Sequence, residues 1–201
     1  MTRSQVPTPA SGVVIRRAEL DEVETVLESV WELANASATA AHWPRAALYP
    51  YVATDEASGA LQAKAIFLAC VTGATPSPTQ AGGDKPISPP IAAMDGIVGF
   101  AAFSAIMTVG GGESTLENMA VATPWQRQGV GRRLLADGLL WCRAHAAGMV
   151  FLEVRASNRA AITLYEGAGF SVVGNRPGYY REPTEDGLQM KKPLGFAARD
   201  G

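Results

Sequence analysis

The run from Leu116 to Gly169, LENMAVATPWQRQGVGRRLLADGLLWCRAHAAGMVFLEVRASNRAAITLYEGAG, leaves this chain few folds to choose from. Its opening, LENMAV, is apolar-rich and free of Gly and Pro, which predicts a strand. Thr123-Pro124 ends it, because Pro cannot donate to a ladder and turns its predecessor away from helix. Gln126 to Arg132 follows, a glycine-containing turn opening directly into a helix. Small residues there let backbone N–H groups approach a phosphate, and the helix N-terminus adds partial positive charge. The turn is neither a G-x-G-x-x-G fingerprint nor a Walker A loop, and on spacing alone an anion cradle and a plain helix start stand equal. Met149 to Arg155 (MVFLEVR) reads as a second strand, and Asn158 begins a helix that ends at Gly167 or Gly169. Strand–helix–strand–helix is the repeat of a parallel α/β unit.

Composition narrows the class of molecule. The 201 residues, 47% hydrophobic, suit one domain with a sizeable core. A formal net charge of −2 gives no reason to expect nucleic acid as partner, although Arg127, Arg132 and Arg133 form a local basic group. Cys70 and Cys142 sit in apolar surroundings without metal-type spacing and read as buried, reduced thiols of a cytosolic protein. His42 and His145 are far apart in sequence, so no metal site is expected. There is no apolar signal core at the start and no run of 18 apolar residues, so a soluble, cytoplasmic protein without membrane contact is expected.

Along the chain, residues 1–12 read as a frayed polar tail and 195–201 as a C-terminal one, with a single domain over 13–194. Val13 to Arg17 is a first strand. Glu19 to Ala36 carries Leu20, Val23, Val26, Leu27, Val30, Trp31 and Ala34 on one stripe and reads as an amphipathic core helix. Arg45 to Asp55 adds a shorter helix. Ala65 to Val71 is a buried strand. Residues 72–95, rich in Pro, Gly, Ser and Thr and without periodicity, read as a flexible insertion. Gly96 to Met107 is a further strand. Gly110-Gly111-Gly112 is a turn, and Glu113 to Val121 returns antiparallel as the central strand. Phe170 to Gly174 is read as a strand, Asn175 to Asp186 as a loop, and Leu188 to Leu194 as a last edge strand. The expected architecture is α/β (α+β), a mixed sheet of about seven strands with helices on both faces.

Gln126, Gly129 and Gly131 form a Q-x-x-G-x-G loop, and with it the central stretch resembles the acetyl-CoA-binding core of the GNAT superfamily of N-acetyltransferases. QRQGVGRRLL, LEVRASNRAAITLYEGAGF and Tyr179-Tyr180 are similar to the RimI-type group, which acetylates the N-terminal alanine of a ribosomal protein. The close similarity covers roughly residues 114–194. The resemblance implies the GNAT fold, acetyl-CoA as co-substrate and a protein N-terminus as acceptor. It also implies roles for residues. The carbonyl of the thioester is polarised by a backbone N–H of a splayed strand at Met119, Ala120 and Val121. The pyrophosphate lies on the amides of Arg127, Gln128, Gly129, Val130, Gly131 and Arg132. Asn158 hydrogen-bonds the coenzyme, and it equally suits a helix N-cap. Aromatics Trp43, Tyr49 and Tyr51 border the acceptor region in such folds, or pack the core.

Glu153 is the candidate general base. A lone carboxylate in VFLEV is costly to bury, and burial would raise its pKa toward a value useful near neutrality. Its structural alternative is an ion pair with Arg155, two residues along on the same face. Glu117, at the base position of other branches of the superfamily, is the rival. Tyr165 is the candidate acid. Its phenol, of reference pKa about 10 against about 8.5 for a thiol, is the group to protonate the departing thiolate. Tyr179 and Tyr180 shape the acceptor slot, although Pro177-Gly178 stand where the family more often has a basic residue. The leading expectation is therefore a protein α-amine acetyltransferase. A GNAT enzyme for a small amine, a polyamine or an antibiotic is the runner-up. A non-catalytic acyl-CoA-binding regulator is the third reading, and the presence of both Glu153 and Tyr165 argues against it. Oligomeric state is not legible.

Overall fold

The computed structural model describes residues 12–19, 23–36, 43–52, 62–71, 96–108 and 111–195. Within them lie seven strands: β1 (Val13–Arg17), β2 (Gln62–Val71), β3 (Ile97–Thr108), β4 (Gly111–Val121), β5 (Ala147–Arg155), β6 (Ser171–Arg181) and β7 (Thr184–Pro193). Four helices accompany them: α1 (Val23–Ala36), α2 (Arg45–Val52), α3 (Val130–Ala144) and α4 (Arg159–Gly167). The strands make one sheet in the order β1-β2-β3-β4-β5-β7-β6, so β4 is its middle strand. Every pairing is antiparallel except β4 with β5. That parallel pair is the one joined through a helix, α3, as parallel neighbours require.

Two apolar clusters cover the two faces. On one, α3 and α4 press Val130, Leu134, Leu135, Ile162 and Tyr165 against Phe103, Val150, Leu152 and Val154. On the other, the stripe Val26, Leu27, Val30, Leu33 and Ala34 of α1, with Leu48 and Tyr51 of α2, packs on Ile66, Leu68, Phe100 and Ala120. Helices on both faces of a mixed sheet are thus what the periodicity predicts. The approach of α3 to the sheet depends on Gly138, where a Cβ would stand 2.0 Å from the Phe103 ring.

Four local readings need correction. Residues 175–186 are not a loop: they are the end of β6, a tight turn and the start of β7. The Pro177-Gly178 step fits because the register shifts between Arg176 and Tyr180, and a bulge leaves room for a residue that cannot donate. Asp186 accepts from the Gly178 amide at 2.9 Å and from the Asn175 amide group at 2.9 Å, which pins the irregular backbone. Consequently β7 is an inner strand and β6 the edge. Gly111 and Gly112 belong to β4 rather than to a turn, and Cys70 is half-buried where Cys142 is buried. The Val71 amide donates to the Gly96 carbonyl at 2.7 Å, so the chain leaves and rejoins the β2–β3 hairpin at one rung. Residues 1–11, 72–95 and 196–201, which include nearly all of both expected tails and the whole expected insertion, lie outside the described residues.

Candidate active site

The turn before α3 is built to present amides. Gln126 donates to the Val121 carbonyl at 2.8 Å, which ties the loop to the end of β4, and Gln128 donates to that of Pro124 at 2.7 Å, which closes the loop on itself. Gly129 is the N-cap of α3 with φ 83°, and no side chain caps the helix. The first amides of a helix have no intrahelical acceptor, so those of Val130, Gly131 and Arg132 face outward with the positive end of the dipole. A Cβ on Gly129 would meet nothing within 4 Å: the cradle opens to space. Arg127 sits at φ 61°, a left-handed conformation that costs a non-glycine residue about 1–2 kcal/mol. No residue type in the turn marks that strain in advance, and such strain clusters where a backbone must present groups to a ligand.

Beyond the cradle the sheet opens. β4 and β5 pair from Gly112↔Ala147 to Leu116↔Leu152, and there the pairing stops. Glu117 is the extra residue of a bulge, because Leu116 faces Phe103 and Asn118 faces Ala102 of β3. β5 meanwhile stays paired with β7 out to Arg155↔Gly187. The divergence leaves a cleft of about 430 Å³ between Thr115–Met119 and Phe151–Val154. Asn158, Tyr165, Tyr179, Tyr180, Gln189 and Trp43 also reach it.

Splaying lets groups from both faces of the sheet meet. Tyr165 belongs to the cluster under α3 and α4, is 7% exposed, and packs edge-on against Phe170 at 5.9 Å. Burial, and next the neighbouring Tyr180, push its phenol well above the ordinary tyrosine value. Tyr180 is likewise pushed up, by burial first, to about 12. Asn158 caps α4, its Oδ1 accepting from the Ala161 amide at 3.1 Å, so the cap and a place on the cleft wall hold together. Of the cradle and strand residues predicted to touch a coenzyme, Met119 lines the cleft, Ala120 and Val121 continue the unpaired edge of β4, and Arg127, Gln128, Gly129, Val130, Gly131 and Arg132 form the turn at its end.

Glu153 is in the cleft, but not as an isolated buried carboxylate. Its side chain is 25% exposed, is ion-paired with the Arg176 guanidinium on β6, and accepts from Gln189 at 3.5 Å. Hydrogen bonding to Glu153 is also the largest cause holding Tyr179 above its ordinary value. The expected partner Arg155 is engaged elsewhere. It is 5% exposed, lies 3.4 Å from Glu185, donates to the carbonyls of Glu182 and Pro183, and stacks on Tyr180 at 4.2 Å. Arg176 and Gln189 were missed because both lie on strands of the hairpin, one of them read as loop. The rival Glu117 lines the same cleft and accepts from Ser104 at 2.7 Å. Trp43 reaches the cleft, whereas Tyr51 is buried with its ring 5.2 Å from that of Trp43; the side chain of Tyr49 lies outside the described residues, as does His42. Among the described residues no group of three His, Cys, Asp or Glu could hold a metal, and no helix is long and apolar enough to cross a membrane.

Residues 73–170 match the model of the Acetyltransferase (GNAT) family. The chain is 48% identical over 77 residues to the ribosomal protein bS18-alanine N-acetyltransferase of Escherichia coli, covering 38% of this chain and 51% of that protein. It is 37% identical over 99 residues to the N-alpha-acetyltransferase RimI of Mycobacterium tuberculosis, covering 49% and 61%. The chain thus spans about half the length of the first of these relatives. The fold extends further: the crystal structure of the ribosomal-protein-S18-alanine N-acetyltransferase from Escherichia coli superposes with a TM-score of 0.64 at 25% identity, over 94% of this chain and 98% of that one. The family match takes in the strand, glycine turn and helix around which the sheet is organised, and the chain accordingly carries a GNAT acetyltransferase domain and takes the GNAT fold.

Proposed function

We propose that this chain is an acetyl-CoA-dependent N-acetyltransferase whose acceptor is the α-amine of a protein or peptide N-terminus. The observation that carries the reading is the end of β4–β5 pairing at Leu116 and Leu152, with Glu153 and Tyr165 lining the opening and an uncapped helix start at its end. The likeness to RimI-type enzymes supports the choice of acceptor.

The residues fit the co-substrate. The αL glycine and the outward amides of α3 suit a pyrophosphate, and a side chain at Gly129 would fill the space it needs. Acetyl-CoA supplies a thioester, whose carbonyl oxygen is held by an amide on the unpaired edge of β4 at Met119–Val121. Glu153 takes the proton from the incoming ammonium, directly or through a water, leaving a lone pair on nitrogen. As the C–N bond forms and the C–S bond breaks, the Tyr165 phenol donates its proton to the leaving sulfur, and the second proton of the acylated nitrogen, which the amide cannot keep, returns to the phenoxide through water. Its raised pKa keeps it protonated at neutral pH but makes it a weak acid, so it acts chiefly as a hydrogen-bond donor, with full proton transfer late.

An α-amine of pKa about 7.7–8.0 is roughly a tenth to a sixth neutral at pH 7, against under about 0.1% for a Lys amine, so one carboxylate serves the first with ease. Glu117 favours a second reading: two carboxylates on one cleft suit a polyamine. Release of free thiol from acetyl-CoA, measured against peptides with free or blocked α-amines and against small amines, tests both. Turnover confined to unblocked peptides, strongest for an Ala start, is expected. Turnover with small amines alone would remove the protein acceptor while keeping the chemistry.

A further inference from the structure

The carboxylate assigned above as the base already holds a cation. Arg176 leaves the edge strand β6, and its Nη1 donates to Glu153 Oε1. Its guanidinium carbon lies 4.0 Å from the centroid of the Tyr179 ring. That ring packs over Gly187 of β7, where a Cβ would come within 3.0 Å of it. A carboxylate oxygen and an aromatic face together grip the charge, and these are the two kinds of group that recognise a substrate ammonium.

The two arginines of this region are held very differently. Arg155 is buried among two carbonyls, Glu185 and the Tyr180 ring, and its place is fixed by the β6–β7 turn. Arg176 is 47% exposed, and its contacts are Glu153 and the Tyr179 ring. An exposed ion pair on a long side chain is weak and easily exchanged. Glu153, whose Oε1 Arg176 occupies, is also a residue lining the cleft where an acceptor must deliver its proton.

We infer that Arg176 is a built-in stand-in for the acceptor's ammonium: it neutralises Glu153 in the resting cleft and is displaced by an amine that arrives as a cation. The inference rests on the acetyl-acceptor reading above. It makes Arg176 a specificity-determining residue, since only a positively charged end group replaces what the guanidinium gives up. A neutral group of the same size would leave both Glu153 and the Tyr179 face unmatched.

The test compares the wild-type chain with Arg176→Gln and Arg176→Lys. An Ala-starting peptide and spermidine are each titrated by calorimetry with CoA bound, so that no turnover intervenes, and steady-state rates are taken with acetyl-CoA. Removing the competing cation should tighten acceptor binding and lower acceptor KM by about two- to fivefold, the scale of an exposed ion pair. The change should fall on KM more than on kcat, and Arg176→Lys should return toward wild type. Weaker binding in Arg176→Gln would overturn the inference, because Arg176 would then be holding the acceptor. Equal binding in all three proteins, or a loss of kcat at unchanged KM, would overturn it too. If the wild type turns over spermidine but no peptide, the proposed acceptor class falls. The spermidine titrations then still decide the role of Arg176, since tighter binding in Arg176→Gln supports displacement and its absence refutes it.

Discussion

Glu153 stands on β5 and Tyr165 on α4, and substitution should separate their roles. Glu153→Gln keeps the shape of the side chain and removes its basicity, so kcat should fall by about 10²–10⁴ while acetyl-CoA affinity, measured by calorimetry, stays nearly unchanged. Loss of coenzyme binding instead would make Glu153 a structural residue. Tyr165→Phe retains the ring packed on Phe170 and should slow turnover without lowering the melting temperature at neutral pH. The same variant has a signature at high pH. Burial raises the Tyr165 pKa in the folded state, so the unfolded chain gives up this proton first, and the associated stability is complete below about pH 10 and drains away as pH rises beyond it. Denaturant midpoints followed from pH 8 to 11 should therefore fall less steeply in Tyr165→Phe than in wild type. At this scale the sequence was legible where chemistry is local: an acid in an apolar strand marks Glu153, and an Asn before a helical stripe marks the cap at Asn158. Arg176 was not, because it meets Glu153 across 23 residues and from two strands away, over the intervening β7.

The elements were legible in proportion to the regularity of their backbones. α1, α3 and β5 follow clean periodicities and appear as expected, give or take a few residues at their ends. The β6–β7 hairpin was hidden by Pro177 and Gly178, two residues that ordinarily mark a loop; a bulge and the Asp186 carboxylate absorb them, and neither leaves a periodic trace. Helix α3 offers a sharper test of how packing overrides propensity. Ala is about 1 kcal/mol better than Gly inside a helix, so Gly138→Ala would stabilise an isolated α3. In the folded chain the added methyl runs into the fully buried Phe103 ring, and overpacking of that kind costs about 1–3 kcal/mol. A net loss of stability in chemical denaturation is expected, partly recovered when Phe103→Leu is added to make room.

Taken whole, the molecule is one sheet between two apolar layers, and its layering followed from composition and periodicity alone. Strand order did not, since which strands pair is decided by contacts far apart in the chain: Glu113–Val121 is central as expected, but the last strand is an inner one rather than an edge. One rung of that sheet has a practical meaning. Because Val71 and Gly96 are already hydrogen-bonded and Cys70 lies opposite Ile97, the β2–β3 hairpin is complete at the point where residues 72–95 depart. The entropy of closing a connection grows only slowly with its length, about 0.6 kcal/mol per doubling. The joint is therefore a splice point: replacing residues 72–95 with a four-residue turn should leave the melting temperature and acetyl-CoA affinity within a small margin of wild type. A collapse of either would show that the segment props up the sheet. If neither changes, the same joint can accept a fluorescent reporter or an affinity handle, and the protein becomes a scaffold that tolerates cargo at a position its own architecture has already sealed.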